Sequence, residues 1–198
     1  PEAEVSYNPE SEFVQSVIVT ITANEKITID DTWTKVSDTV YTKEYTENVS
    51  EELVTITDLA GNTSEVTVTI TNIDRTAPSV KYPGQSSKID YNDKYVTITI
   101  TEAHGLAKVY YKWANINSYQ NATNLVPEEN ITDNGDGTYS VKIPTVNGRN
   151  KLHIRALDNA GNEYKGYSSN QNYKFDLVAP EATVSYSPDM NTFTNQSV

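Results

Sequence analysis

The chain restarts itself. A stretch ending in Thr57-Asp58-Leu59-Ala60-Gly61-Asn62 leads through alternating residues from Val66 to Ile73 into Asp74-Arg75-Thr76-Ala77-Pro78. Further on, Leu157-Asp158-Asn159-Ala160-Gly161-Asn162 leads in the same way to Asp176-Leu177-Val178-Ala179-Pro180. The residues that follow, Pro180-Glu181-Ala182-Thr183-Val184-Ser185-Tyr186-Ser187-Pro188, nearly reproduce Pro1-Glu2-Ala3-Glu4-Val5-Ser6-Tyr7-Asn8-Pro9. A pattern that returns to its own beginning marks a tandem array, in which each unit is one structural module. The 198 residues then divide into two complete units, 1–76 and 77–178, and the opening strand of a third, 179–198.

Periodicity within each unit has a repeat of two. Val17, Val19 and Ile21 alternate with Ile18, Thr20 and Thr22, and Val96, Ile98 and Ile100 alternate with Thr97, Thr99 and Thr101. Leu53–Thr57, Val66–Thr71, Leu106–Trp113, Tyr139–Ile143 and Lys151–Ala156 follow the same pattern. Such alternation places one side chain in two on a buried face, which describes a half-covered strand. No stretch has helical periodicity. Asn134-Gly135-Asp136-Gly137 and Asn147-Gly148 supply tight-turn residues that accept positive φ. Roughly seven short strands per unit predict an all-β protein of tandem immunoglobulin-like β-sandwiches.

Composition narrows the functional classes. With no cysteine, disulfides, thiolate metal sites and cysteine nucleophiles are excluded together. A net charge of -12 disfavours nucleic acid and anionic membrane surfaces as partners. No apolar run is long enough to span a bilayer as a helix. His104 and His153 are the only histidines; His104 stands beside a glycine in a loop, and His153 falls on the polar face of its strand. Neither has a nucleophile in its sequence context, and no carboxylate pair stands out, so the chain is expected not to be an enzyme.

In Asp-x-Ala-Gly-Asn, Asp58 or Asp158 is expected to accept backbone N–H groups of its own turn, and Gly61 or Gly161 to take positive φ. The hairpin between the last two strands lies at the pole where the chain enters a sandwich. Asp158 should therefore approach Asp74 in the linker and Glu102 at the end of the Val96–Thr101 strand. Three converging carboxylates suit Ca²⁺, a cation that takes oxygen ligands in a flexible shell; simple turn caps are the other reading. The Asp133–Gly137 run lacks the spacing of a calcium loop and reads as a hairpin turn.

The insert Ala114–Thr132 distinguishes unit two. Its amides and flanking aromatics, Trp113, Tyr119 and Asn121, are candidates for contacting sugar rings or a protein ligand. Equally, Trp113 suits a core position between the sheets, and the insert suits a solvated crossover. A Lys–Asn isopeptide crosslink is chemically open, with no lysine singled out.

These residues resemble the bacterial immunoglobulin-like repeats of Gram-positive surface and extracellular proteins. The resemblance rests on the turns at 58–62 and 158–162 and on the Ala-Pro exits. It implies an extracellular stalk, at the cell surface or secreted, whose partners are neighbouring repeats of the same chain. It also implies that calcium can stiffen such joints. Each unit would add roughly 35–40 Å of reach. Two alternatives accompany this reading. One is an adhesin domain that binds host glycan or matrix protein through residues 114–124; the other is an accessory segment of a secreted carbohydrate-degrading enzyme.

Overall fold

The computed structural model describes residues 1–85 and 92–185. Unit one contains seven strands: β1 (Ala3–Asn8), β2 (Val17–Ala23), β3 (Ile27–Thr28), β4 (Thr34–Lys35), β5 (Val40–Tyr45), β6 (Val49–Asp58) and β7 (Thr63–Ile70). They form two antiparallel sheets, in the orders β1-β2-β5-β4 and β3-β6-β7. In immunoglobulin nomenclature this is ABED packed on CFG. The strands read from alternation have their expected face inward: Val17, Val19 and Ile21 are 0% exposed, as is Ile56 on the opposing sheet. Trp33 and Tyr41 complete this core, as part of one cluster with Val54, Val68 and Ile73.

Unit two repeats the plan with an added strand. One sheet has the order β12-β13-β9-β8 and the other β11-β10-β14-β15. The strands are β8 (Ser79–Lys81), β9 (Tyr95–Thr101), β10 (Leu106–Ala114), β11 (Asn124–Leu125), β12 (Ile131–Asp133), β13 (Thr138–Pro144), β14 (Gly148–Asp158) and β15 (Glu163–Tyr167). A last strand, β16 (Tyr173–Phe175), pairs with the beginning of β14. The longer final region of unit two is thus one edge broken in the middle. At the break, Ser168 bonds to β14 through its backbone and hydroxyl, each to Leu152. The core of unit two is a separate cluster, built on Ile98, Ile100, Val141, Leu152, Ile154 and Tyr173.

The two units share a register at the pole of their last hairpin. Ile27 pairs with Asp58 as Leu106 pairs with Asp158. Counting back along the preceding strand, Ala23 of unit one corresponds to Glu102 of unit two, and Glu25 to His104. The opening strand expected at 179–198 is not formed over 179–185, and residues from 186 onward lie outside the described region.

The insert crosses from one sheet to the other with most of its residues exposed, as the crossover reading expects, and it adds structure of its own. It supplies β11, whose Asn124 and Leu125 pair with Tyr111 and Tyr110. It also buries Ala122, at 0% exposure, and Val126, at 2%. His153 does lie on the outer face of β14, yet it is 0% exposed because the insert covers that face. Backbone N–H of Gln120 donates to His153 Nδ1 at 3.1 Å, and the Tyr167 ring stacks on the imidazole.

Candidate functional site

The exit of unit one is built into the sandwich before it leaves. Val14 and Ile73 form a parallel bridge, with Val14 N donating to Asn72 O and Asp74 N donating to Val14 O. The Asn48 side chain holds Ile73 from the other side, accepting from its N–H and donating to its C=O. Ile73 and Asp74 are therefore buried, at 7% and 4% exposure. The segment from Asn72 to Asp74 is consequently a strap bound into unit one, and the exposed stretch before Pro78 is only Arg75–Ala77.

Unit two meets that strap with the turn the sequence singles out. Asp158 Oδ1 accepts the backbone N–H of Asn162, and Oδ2 accepts its side-chain amide. Asp58 holds Asn62 in the same manner and also accepts the Ala60 N–H, so its carboxyl lies below the usual range, chiefly through the Asn62 amide. The glycines have φ of 88° at Gly61 and 87° at Gly161, as this turn demands. In unit two the turn acquires a further role. Asn162 Nδ2 also donates to the carbonyl of Asp74 at 3.0 Å, tying the hairpin of one unit to the exit of the other.

Of the three carboxylates expected to converge, all are buried: Asp74 at 4%, Glu102 at 6% and Asp158 at 2% exposure. Their roles differ. Asp158 is committed to its turn and lies outside the tight ligand group, which corrects its expected place as a metal ligand. Asp74, Glu102 and His104 instead offer one ligand atom each, all within 4.8 Å of one another. A cavity of about 290 Å³ opens beside them, lined by Thr76, Ala77, Ser79, Thr101 and Ala103 together with the three.

Each member has a defined position. Asp74 Oδ1 accepts the N–H of Thr76. Asp74 Oδ2 is buried and has no hydrogen-bond partner. His104 Nδ1 stands 3.0 Å from that oxygen, but the pair is not aligned as a hydrogen bond. Glu102 Oε1 accepts the His104 N–H at 2.8 Å. Burial raises the Glu102 carboxyl above its usual range, and the Asp158 and Asp74 charges push it the same way. Phe13, from the loop after β1, stacks on the His104 ring with centroids 4.1 Å apart. Among the described residues, no lysine or arginine forms an ion pair with any of the three acids.

Sequence reasoning missed His104. Its signal was the alignment of the units, which sets it against Glu25 at the same pole. Gly105, with φ of 103°, makes the turn that presents it, and a Cβ there would lie 2.1 Å from the Asn159 amide.

The expected calcium fits this group poorly. Ca²⁺ takes six to eight oxygen ligands, whereas the group offers two carboxylates and an imidazole nitrogen, with Asp158 held back by Asn162.

The proposed sugar-binding residues do not assemble. Trp113 belongs to the core: its indole N–H donates to Pro144 O at 2.7 Å, and its ring lies edge-on to Tyr173 and Phe175. Tyr119 turns back onto the insert, its hydroxyl accepting the Ala122 N–H, while Asn121 is exposed. The Asp133–Gly137 run is a hairpin turn, in which Asp133 and Asp136 cap backbone N–H groups. Lys151 is the buried lysine that an isopeptide bond requires. Its ammonium instead donates to the carbonyls of Ser168 and Ser169, with no asparagine side chain bonded to it among the described residues.

No family model and no curated protein sequence matches the chain. Among solved structures it is similar to one described as structures of Clostridium thermocellum CbhA fibronectin(III)-like modules. The identity is 13%, the match covers 92% of this chain and 100% of that chain, and the TM-score is 0.36. A likeness at that level adds nothing to the strand order, which defines the fold by itself.

Proposed function

We propose that the chain is a non-catalytic spacer, a run of immunoglobulin-like sandwiches whose work is to hold what lies on either side of it at a set distance and angle. The observation that carries this reading is the Asn162–Asp74 hydrogen bond across the joint. It connects a turn that closes one sandwich to a strap already bound into the other. A flexible connection between modules leaves a long run of exposed, polar residues between them; here only Arg75, Thr76 and Ala77 are exposed, between buried Ile73 and Asp74 on one side and buried Pro78 on the other. An extracellular setting at the cell surface or in a secreted protein, with neighbouring repeats as partners, follows as part of the same proposal.

The absence of cysteine makes the test simple, because two introduced thiols are the only sites of labelling. Thr67 and Lys142 are exposed strand positions, one on each unit. Spin labels on the Thr67→Cys, Lys142→Cys double variant should give one narrow inter-unit distance. A broad distribution spanning many orientations would refute the spacer.

A further inference from the structure

We propose that the joint binds a zinc-class divalent cation through Asp74, Glu102 and His104 Nδ1. This rests on the joint as described and deepens it by naming the ion that locks it. Two independent observations converge. The first is the ligand group itself, two carboxylates and an imidazole with their ligand atoms within 4.8 Å. The second is Asp74 Oδ2, an oxygen whose side chain is 3% exposed, turned toward His104 and left without a hydrogen bond. The imidazole gives that oxygen an ion pair only when protonated; beside a neutral ring a buried carboxylate oxygen is left unpaired, which is costly to fold, and a cation held by both groups removes that cost.

The geometry suits a small ion. Neighbouring ligands on a tetrahedral centre with bonds of about 2.0–2.2 Å lie about 3.3–3.6 Å apart, so Asp74 Oδ2 and His104 Nδ1, 3.0 Å apart, need to part by only a few tenths of an ångström. The Glu102 carboxylate must swing inward to join them, and the cavity of about 290 Å³ leaves room for that and for water in the remaining positions. Phe13 fixes the imidazole plane by stacking on one of its faces. An imidazole nitrogen selects the zinc class over calcium or magnesium. At the same pole of unit one the corresponding residues are Ala23 and Glu25, so the imidazole set belongs to this joint alone among the two described poles.

Calorimetric titration of the whole chain with ZnCl₂, CaCl₂ and MgCl₂ tests the assignment, alongside thermal unfolding with each salt and with chelator. Zinc should bind one per chain and raise the unfolding midpoint, with calcium and magnesium weaker by more than about tenfold. Co²⁺ should develop ligand-field absorption that His104→Ala abolishes. His104→Ala should weaken zinc more than about tenfold while leaving the metal-free unfolding midpoint near that of the parent. His104→Glu, which installs the residue of unit one, should move the preference toward calcium. The proposal fails if zinc does not bind, if calcium binds the parent more tightly, or if His104→Ala retains full zinc affinity. The distance measurement in chelator is separate: a narrow distribution there keeps the spacer even when the cation is absent.

Discussion

At the level of single residues, the two Asp-x-Ala-Gly-Asn turns isolate the cost of positive φ from that of packing. A Cβ on Gly61 would meet nothing within 4 Å, and one on Gly161 only the end of Gln15 at 3.9 Å. Gly61→Ala and Gly161→Ala should therefore each lower the stability of their own unit by about 1 kcal/mol, from backbone strain alone. Chemical denaturation of the two variants checks this, and unequal losses would mean that contact across the joint, not φ, governs Gly161. These turns were legible from sequence because Asp, Gly and Asn carry their turn chemistry locally. His104 was not, because nothing beside it in the chain reports that Asp74 and Phe13 arrive from the other unit. Asp158 illustrates the opposite error. Its carboxylate looked available, yet its own Asn162 occupies both oxygens.

Among the elements, the insert is the informative one. Strand alternation placed His153 correctly on the outer face of β14, and periodicity alone says that such a face meets water. The structure covers it, since the Gln120 N–H donates to Nδ1 and the Ala114 carbonyl faces Nε2 at 3.3 Å. This arrangement holds the neutral ring, and burial lowers the His153 pKa below its ordinary value of 6.5, with Lys112 and Lys151 acting in the same direction. The sign follows from linkage. As pH falls below about 6.5, the unfolded chain takes up the proton before the folded one does, so the contribution is complete above that pH and declines below it. Unit two should accordingly lose stability on acidification below pH 6.5 more steeply than its His153→Gln variant. Denaturant midpoints at a series of pH values would show this, and NMR titration should find His153 titrating below its ordinary value if Tyr119 and Gln120 keep their cover. Parallel midpoint curves for the parent and His153→Gln would dismiss the argument. The fold class was readable because alternation and turns are local signals. The insert's role depends on which sheet face it crosses, and local sequence does not encode that.

For the molecule as a whole, the question is how few contacts orient one sandwich on the next. Besides the chain itself and the His104–Asp74 pair, the joint contains the Phe13–His104 stack and the Asn162 bond to Asp74 O. These contribute unequally to the folding of the units. Asn162 also closes the Asp158 turn, so Asn162→Ala removes part of unit two's own structure along with the tether. Phe13 projects from a loop already secured through the Asn72 side chain, which donates to the carbonyls of Pro9 and Glu12. Phe13→Ala should then change the stability of either unit by less than about 0.5 kcal/mol, as a substitution outside the core does. It should nevertheless broaden the distance distribution between labels at 67 and 142, because the ring is what resists rocking about the strap. Asn162→Ala should broaden it as well, at a cost to unit two of about 1 kcal/mol for the lost turn bond. The double variant decides whether the joint is one cooperative contact or two. If the stack and the tether hold the same orientation, either single change releases most of the motion and the second adds little. Additive broadening would instead mean two independent restraints, and an unchanged distribution in all three variants would place the rigidity in the bonded strap from Asn72 to Thr76.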